Sequence, residues 1–292
     1  MNRTGGGRPD TVRERDVDDA GSGTSAAYER TTGPVRSRDR APLPTRVSGL
    51  PELPPTYRLI VDRGLADLGI ALDPAASRAI EDHVRLLLAW NAAVNLSAIR
   101  APDDIAREHV LDSLSAFPFL RGRGIDAFVD LGSGGGFPGL PLALALPARR
   151  ALLVDSVGKK ARFLEAAVGA TGASGRIRVA ATRAESLAAD RHEREAWPAV
   201  LARAVASLAE LAELAFPLLA RGGALVAWKR VPLADELTAA RSALAALGGG
   251  PLEVHAAGVV GLEDHVIVVA RKVRGTPPGF PRPPAERRRR PL

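Results

Sequence analysis

The stretch Asp130-x-Gly132-x-Gly134-x-Gly136 follows directly on the apolar run Ala127–Leu131 and has the residue types of a ligand-binding turn. Glycines let the backbone approach a ligand closely and adopt positive φ. Asp155 stands 23 residues beyond Gly132, at the end of a second apolar run, where a carboxylate commonly takes ribose hydroxyls. A tight turn with no ligand is the plain alternative, and Gly134-x-Gly136-x-x-Gly139 matches the dinucleotide fingerprint in form. Asp130 weighs against a dinucleotide. A pyrophosphate anion about 4 Å away would cost on the order of 4 kcal/mol at an effective dielectric of about 20. S-adenosylmethionine carries a sulfonium and an ammonium in place of phosphate, so an acid favours it, and the pattern fits that methyl donor better than NAD. The formal fingerprint begins further into the turn, where Pro138 and Pro141 indicate that a helix is already starting.

Other chemistries find little support. The chain of 292 residues has no cysteine, which excludes disulfides, thiolate metal sites and a cysteine nucleophile. His83, His192, His255 and His265 lack ligand spacing, so no metal is expected. His109 and Asp112, at i and i+3, read as a hydrogen-bonded structural pair, and Trp90 reads as core. Aromatic residues make up 4%, too few for a base-stacking platform.

The elements that would position the turn are legible. Tyr57–Ile70 reads as a helix, and Asp73-Pro74 caps a second one carrying Ile80, Val84, Leu87 and Leu88 toward Trp90 and Asn95. Pro102 opens a third. From Ile125 the rhythm becomes strand, loop, helix, with strands expected at 127–131, 151–155, 176–180, 199–202 and 223–228. The runs 251–260 and 265–271 leave no room for a crossover helix and so pair antiparallel. The fold class is α/β, a doubly wound, mostly parallel sheet of seven strands with a C-terminal antiparallel hairpin, preceded by a small helical unit.

The net charge of +7 is unevenly placed. Residues 271–292 hold eight Lys/Arg and one acid, and without them the chain balances at 32 basic and 32 acidic residues. The body 51–270 alone carries −2. We expect a disordered extension over 1–50, a helical unit over 51–124, a catalytic domain over 125–272 and a basic, proline-rich disordered tail over 273–292. No apolar run is long enough to span a membrane and no secretory signal is visible, so a cytoplasmic monomer without a membrane partner is expected.

Several short motifs follow in order: Trp90-Asn91-x3-Asn95-Leu96, Glu108-His-Val-Leu-Asp-Ser-Leu114, Asp130-Leu-Gly-Ser-Gly-Gly-Gly-Phe-Pro-Gly-Leu-Pro141, Asp155-Ser-x2-Lys-Lys160, Arg183-Ala-Glu185 and Ala202-Arg-Ala-Val-Ala206. Together, over roughly residues 56–272, the chain resembles the bacterial small-subunit ribosomal RNA guanine-N7 methyltransferases, also called glucose-inhibited division protein B. The resemblance implies a Rossmann-like class I S-adenosylmethionine-dependent methyltransferase acting on a guanine of 16S ribosomal RNA, free or in the small ribosomal subunit. It implies that Gly132 and Phe137 touch the donor, that Ala184 and Glu185, in the loop after the third strand, lie beside its adenine, and that Arg203 lies at donor or target. Asp155 as ribose ligand agrees with the spacing argument. One departure is Arg230 after Lys229, where the family usually has glycine.

Guanine N7 offers an in-plane lone pair and needs no base, so positioning and electrostatics suffice; alignment alone supplies roughly 7–11 kcal/mol. Methylation of pyrimidine C5 commonly uses a cysteine, and exocyclic amines commonly use an Asn/Asp-Pro-Pro-aromatic turn, absent at Ala202–Ala206. Arg203 and Lys229 are the candidate catalytic residues. Lys159, Lys160 and Arg183 are the candidate RNA contacts, although cations at a helix start are electrostatically misplaced. Two other readings are a small-molecule methyltransferase of the same fold, which the near-neutral body favours, and a non-catalytic RNA-binding protein using the arginine tail.

Overall fold

The computed structural model describes residues 42–292. The expected extension over 1–50 falls mostly on 1–41, outside the described residues. Residues 42–50, by contrast, are packed. Leu43, Val47 and Leu50 lie against the core. Two largely buried donors hold this segment: Trp90 Nε1–H donates to Pro44 O at 2.7 Å, and Arg85 donates to Leu50 O at 2.6 Å and Pro51 O at 3.0 Å. Buried donors require such acceptors.

Helices α1 (Pro55–Asp67) and α2 (Pro74–Val94) open the fold. Asp73 caps the Ala76 N–H at 2.7 Å, and α2 ends on Asn95 in the left-handed region, φ 55°. Helix α3 (Pro102–Asp104) runs into a π-helical segment, Ile105–Leu111, and out through α4 (Asp112–Leu114); α5 (Phe117–Gly122) follows. π-Helical turns are rare and concentrate at functional sites. This one carries Glu108 and His109.

The sheet has seven strands: β1 (Ala127–Leu131), β2 (Arg150–Val154), β3 (Ile177–Ala180), β4 (Trp197–Arg203), β5 (Leu219–Arg230), β6 (Gly249–Ala256) and β7 (His265–Lys272). Their order is β3-β2-β1-β4-β5-β7-β6, with β1 to β5 parallel and β7 antiparallel to both neighbours. Helices α6 (Gly139–Ala145), α7 (Gly158–Ala170), α8 (Ala184–Ala189), α9 (Leu208–Ala215) and α10 (Ala234–Leu247) make the crossovers. Side chains alternate between faces along each strand. Phe128, Leu153, Leu201 and Val226 join a core shared with α1, α2, α6 and α7. Val129, Leu152, Val200 and Leu225 face α8, α9 and α10. The helical unit of 51–124 thus shares one continuous core with the sheet. The direction of winding changes at β1, between β2 and β4, which places a ligand site at its carboxyl end.

The tail departs from expectation. Residues 273–292 are docked through the buried Thr276 and Arg287 and contain a helix, α11 (Pro284–Arg289), begun by a proline in its first turn, where the missing N–H costs nothing. Glu213, only 2% exposed, accepts from Arg282 Nε at 2.8 Å and Nη2 at 2.6 Å. Charge pairing with α8 and α9 outweighs what composition suggested.

Candidate active site

A cavity of about 500 Å³ opens at the carboxyl ends of β1 and β4. That volume suits a small-molecule site. One wall is the turn Gly132–Gly135 with Phe137; the others come from Leu96–Ser97, the π-helical segment, Arg203–Ala204 and the end of β5. Gly132, Gly134 and Gly136 have φ of 72°, 54° and 88°, so the turn needs glycine. A Cβ on Gly132 would come within 2.8 Å of Val205, and one on Gly136 within 2.8 Å of His83 Nε2.

The hydrogen bonds of this turn decide what it can bind. Gly132 and Ser133 N–H donate to Val154 O, Gly134 N–H to Asp155 Oδ2 at 3.0 Å, and Gly136 and Phe137 N–H to Ser133 O. Gly139 N–H donates to Asp130 Oδ2 at 3.0 Å. A phosphate-binding turn aims free N–H groups at its anion; here those of Gly132, Ser133, Gly134, Gly136 and Phe137 are committed inside the protein. Asp130 is fully buried, Oδ1 has no partner, and burial pushes its carboxyl up to about 6. It remains mostly ionised at neutral pH, so the ground beneath the turn is negative. A positively charged donor fits this cradle and a pyrophosphate does not.

The opposite wall is a polar network. Arg203 Nη1 donates to Asp112 Oδ2 at 2.8 Å and to Glu108 O at 2.9 Å. Arg203 Nη2 lies 3.2 Å from His109 Nδ1, which is also 3.1 Å from Glu108 O, and His109 Nε2 lies 2.7 Å from Ser97 Oγ. Burial and the Arg203 charge push His109 down to about 4. His265 Nδ1 donates to Asp112 Oδ1 at 2.8 Å, and Trp228 Nε1 donates to Asp112 O at 2.7 Å. His265 Nε2 is buried without a partner and its ring borders the cavity. Phe137 is flanked by His83 at 4.6 Å and stacks on His109 at 4.7 Å between ring centres, with Arg203 5.5 Å from its own.

Of the residues singled out in the sequence, Gly132, Gly134, Phe137, Lys160, Arg203 and Lys229 line the cavity. Asp155 supports it from behind, through Gly134 N–H and Val157 N–H at 2.8 Å. Asp130 acts from under the turn as its anchor and cannot touch a ligand. Lys229 is tied to Glu236 at 2.5 Å and Ala206 O at 2.8 Å, and Glu236 also accepts from Leu208 N–H at 2.6 Å. This cation therefore holds the segment 204–208 in place. Lys159 lines a separate depression with Leu43 and Trp90, and Arg183 is exposed at the start of α8. Ala184 and Glu185 begin that helix and stand outside the cavity, with Glu185 paired to Arg287 at 2.7 Å. His109 and Asp112 are joined through Arg203, not directly. Ser97, Glu108 and His265 were missed because they converge only through the fold. A helix inside a strongly polar motif, Glu108–Leu114, was the available signal. Among the described residues no group of three or more acids and histidines could hold a metal, and no helix is long and apolar enough to cross a membrane.

This sheet order, with a glycine turn and flanking carboxylate at the switch point, defines a Rossmann-like methyltransferase domain. A family model described as GidB, rRNA small subunit methyltransferase G, matches residues 76–266. A ribosomal RNA small subunit methyltransferase G from Roseiflexus sp. (strain RS-1) is 40% identical over 227 residues, covering 77% of this chain and 95% of its own length. The protein of that name from Bacillus subtilis (strain 168) is 33% identical over 230 residues, 78% of this chain and 96% of its own. The chain belongs to this family of small-subunit ribosomal RNA methyltransferases.

Proposed function

We propose that the chain transfers the methyl group of S-adenosylmethionine to N7 of a guanine in 16S ribosomal RNA. The observation that carries the donor assignment is the glycine turn with all but one of its N–H groups spent inside the protein, set over a buried carboxylate. S-adenosylmethionine, when bound, supplies an electrophilic methyl on a sulfonium centre. Gly132, Gly134 and Phe137 would hold it, with Asp155 bracing the turn from behind.

The target atom already owns its lone pair, so no group on the target side has to deprotonate it. Arg203, fixed by Asp112 and the Glu108 carbonyl, can orient the base and its phosphate; Lys160 offers a second cation at the rim. With Nδ1–H on Asp112, the buried His265 Nε2 takes an N–H of guanine N1 or N2 once the entering base uncovers the ring edge that borders the cavity. Adenine has no such donor at N1. Phe137 and Trp228 exclude water from the reacting centre.

The test is transfer of labelled methyl to small-subunit particles isolated from cells lacking this protein, with mass mapping of the modified guanines. We expect one guanine to gain an N7 methyl. Gly132→Asp, which adds a side chain at φ 72° against Val205 and a second anion in the cradle, should abolish donor binding in calorimetry. Wild-type heat from that variant, or label appearing only in metabolites, would refute the reading.

A further inference from the structure

The family match stops at residue 266, so it assigns nothing to the segment after β7. The relatives are covered almost end to end while about a quarter of this chain lies outside the alignments. The route of the segment gives it a purpose. Because β7 runs antiparallel to β5, Lys272 emerges at the edge of the sheet opposite the cavity. There its buried ammonium is held by Glu195 and by the carbonyls of Phe216 and Leu219. The chain then returns. Thr276 bonds Glu195 and Leu247 O, and Arg194 holds Pro277 O and Phe280 O. Arg282 grips Glu213 partway along α9, and Arg287, 7% exposed, pairs with Glu185 at 2.7 Å and Glu210 at 3.5 Å. Those last two acids sit in the first turns of α8 and α9, the helices that leave the carboxyl ends of β3 and β4. The segment therefore climbs from the far edge to the cavity edge.

Two arginines are consumed as anchors, and the three that follow, Arg288, Arg289 and Arg290, are exposed where the strap turns back, with Arg290 O accepting from Arg282 Nη1 at 2.9 Å. Arg183, also exposed, begins α8 on the same edge. Anchors that bury guanidinium groups against carboxylates would be wasted on a loose tail. They make sense if the next residues must be delivered to one place.

We propose that residues 273–292 form a docked strap that presents Arg288, Arg289 and Arg290 beside α8 and α9 to bind the phosphodiester backbone of the RNA substrate. This rests on the reading of the substrate as ribosomal RNA. Arginine forks match phosphate oxygens, and each neutralised phosphate adds to the salt dependence of binding. Arg287 is a positioning residue, acting through Glu185 on the helix that begins at the donor edge.

The experiment compares wild type with the full-length triple variant Arg288→Ala, Arg289→Ala, Arg290→Ala for binding to deproteinised 16S ribosomal RNA across a salt series. Donor binding and thermal melting are measured in parallel. We expect unchanged melting and donor Kd, RNA affinity weakened at least about tenfold near 0.1 M salt, and a log–log salt slope shallower by about 2. A purely structural tail would leave that slope alone. A variant with the wild-type slope and RNA affinity, from a chain that still methylates the particle, overturns the strap while sparing the function. A wild-type chain that neither binds the RNA nor methylates the particle overturns both.

Discussion

At the scale of single residues, the site works by leaving few polar atoms free. Asp112 is 1% exposed, and its carboxylate is divided between Arg203 and His265. The strand-end arginine that needs an anion finds it inside the protein, so Arg203 is held rigid before any substrate arrives. Rigidity of this kind is what positioning chemistry requires. The free atom left over is His265 Nε2. If it accepts an N–H of the target base, His265→Ala should raise KM for the ribosomal particle about tenfold, the worth of one buried hydrogen bond of about 1.4 kcal/mol. Donor Kd should stay within twofold. Steady-state kinetics with calorimetry decide it: an unchanged KM removes His265 from the target side. His265→Gln, which keeps an acceptor, should recover part of the loss.

At the scale of elements, the strands and crossovers were legible because short continuous apolar runs alternate with helical stretches, as a sheet buried on both faces requires. β1 was expected at its observed limits, 127–131, and the antiparallel end followed from the short gap before His265. The short helices α5, α8 and α11 were not legible, since two turns give too little periodicity to stand out. Nor was the purpose of Trp90-Asn91-x3-Asn95-Leu96, which requires knowing what lies beyond the helix end. Asn91 Oδ1 accepts from Leu96 N–H at 2.7 Å and Ser97 N–H at 2.9 Å, while Nδ2 donates to Ser97 O at 2.8 Å. One buried side chain thus sets the C-terminal end of α2 and the loop that offers Ser97 to His109. Asn91→Ala leaves those groups short of partners, and we expect a loss of about 1–3 kcal/mol in denaturant unfolding with an unchanged m value. A loss below about 0.5 kcal/mol would show that the loop is held by other means. Asp130 illustrates the opposite limit: the sequence places a carboxylate at the turn, but only the packing of Gly139 against it reveals that it acts from below.

At the scale of the whole molecule, the helical unit and the sheet meet through buried groups whose charges respond to pH. His83 on α2 donates from Nε2 to Gly135 O at 2.8 Å, clamping the glycine turn to the helical unit, and its Nδ1 is buried without a partner. Burial pushes His83 down to about 4, and His109 falls to about 4 as well. For both, the unfolded chain takes a proton near pH 6.5 while the folded one resists it. Their contribution is complete above about 6.5 and is lost as pH falls toward 4. Asp130 runs the other way. Its folded value near 6 lies above the unfolded one, so its contribution is greatest below about 4 and declines as pH rises through 6. Each pH unit of difference is worth about 1.4 kcal/mol. His83 therefore costs about 3 kcal/mol between pH 6.5 and 4, the half-buried His109 less, and Asp130 returns a similar amount to His83. Two histidines against one carboxylate leave a net loss on acidification, so Tm should fall between pH 7 and 4.5. Asp130→Asn removes the opposing contribution and should steepen that fall, whereas His83→Gln should flatten it. Calorimetric melting of the three proteins across this range is the measurement, and parallel curves for all three would mean that neither group titrates as its burial demands.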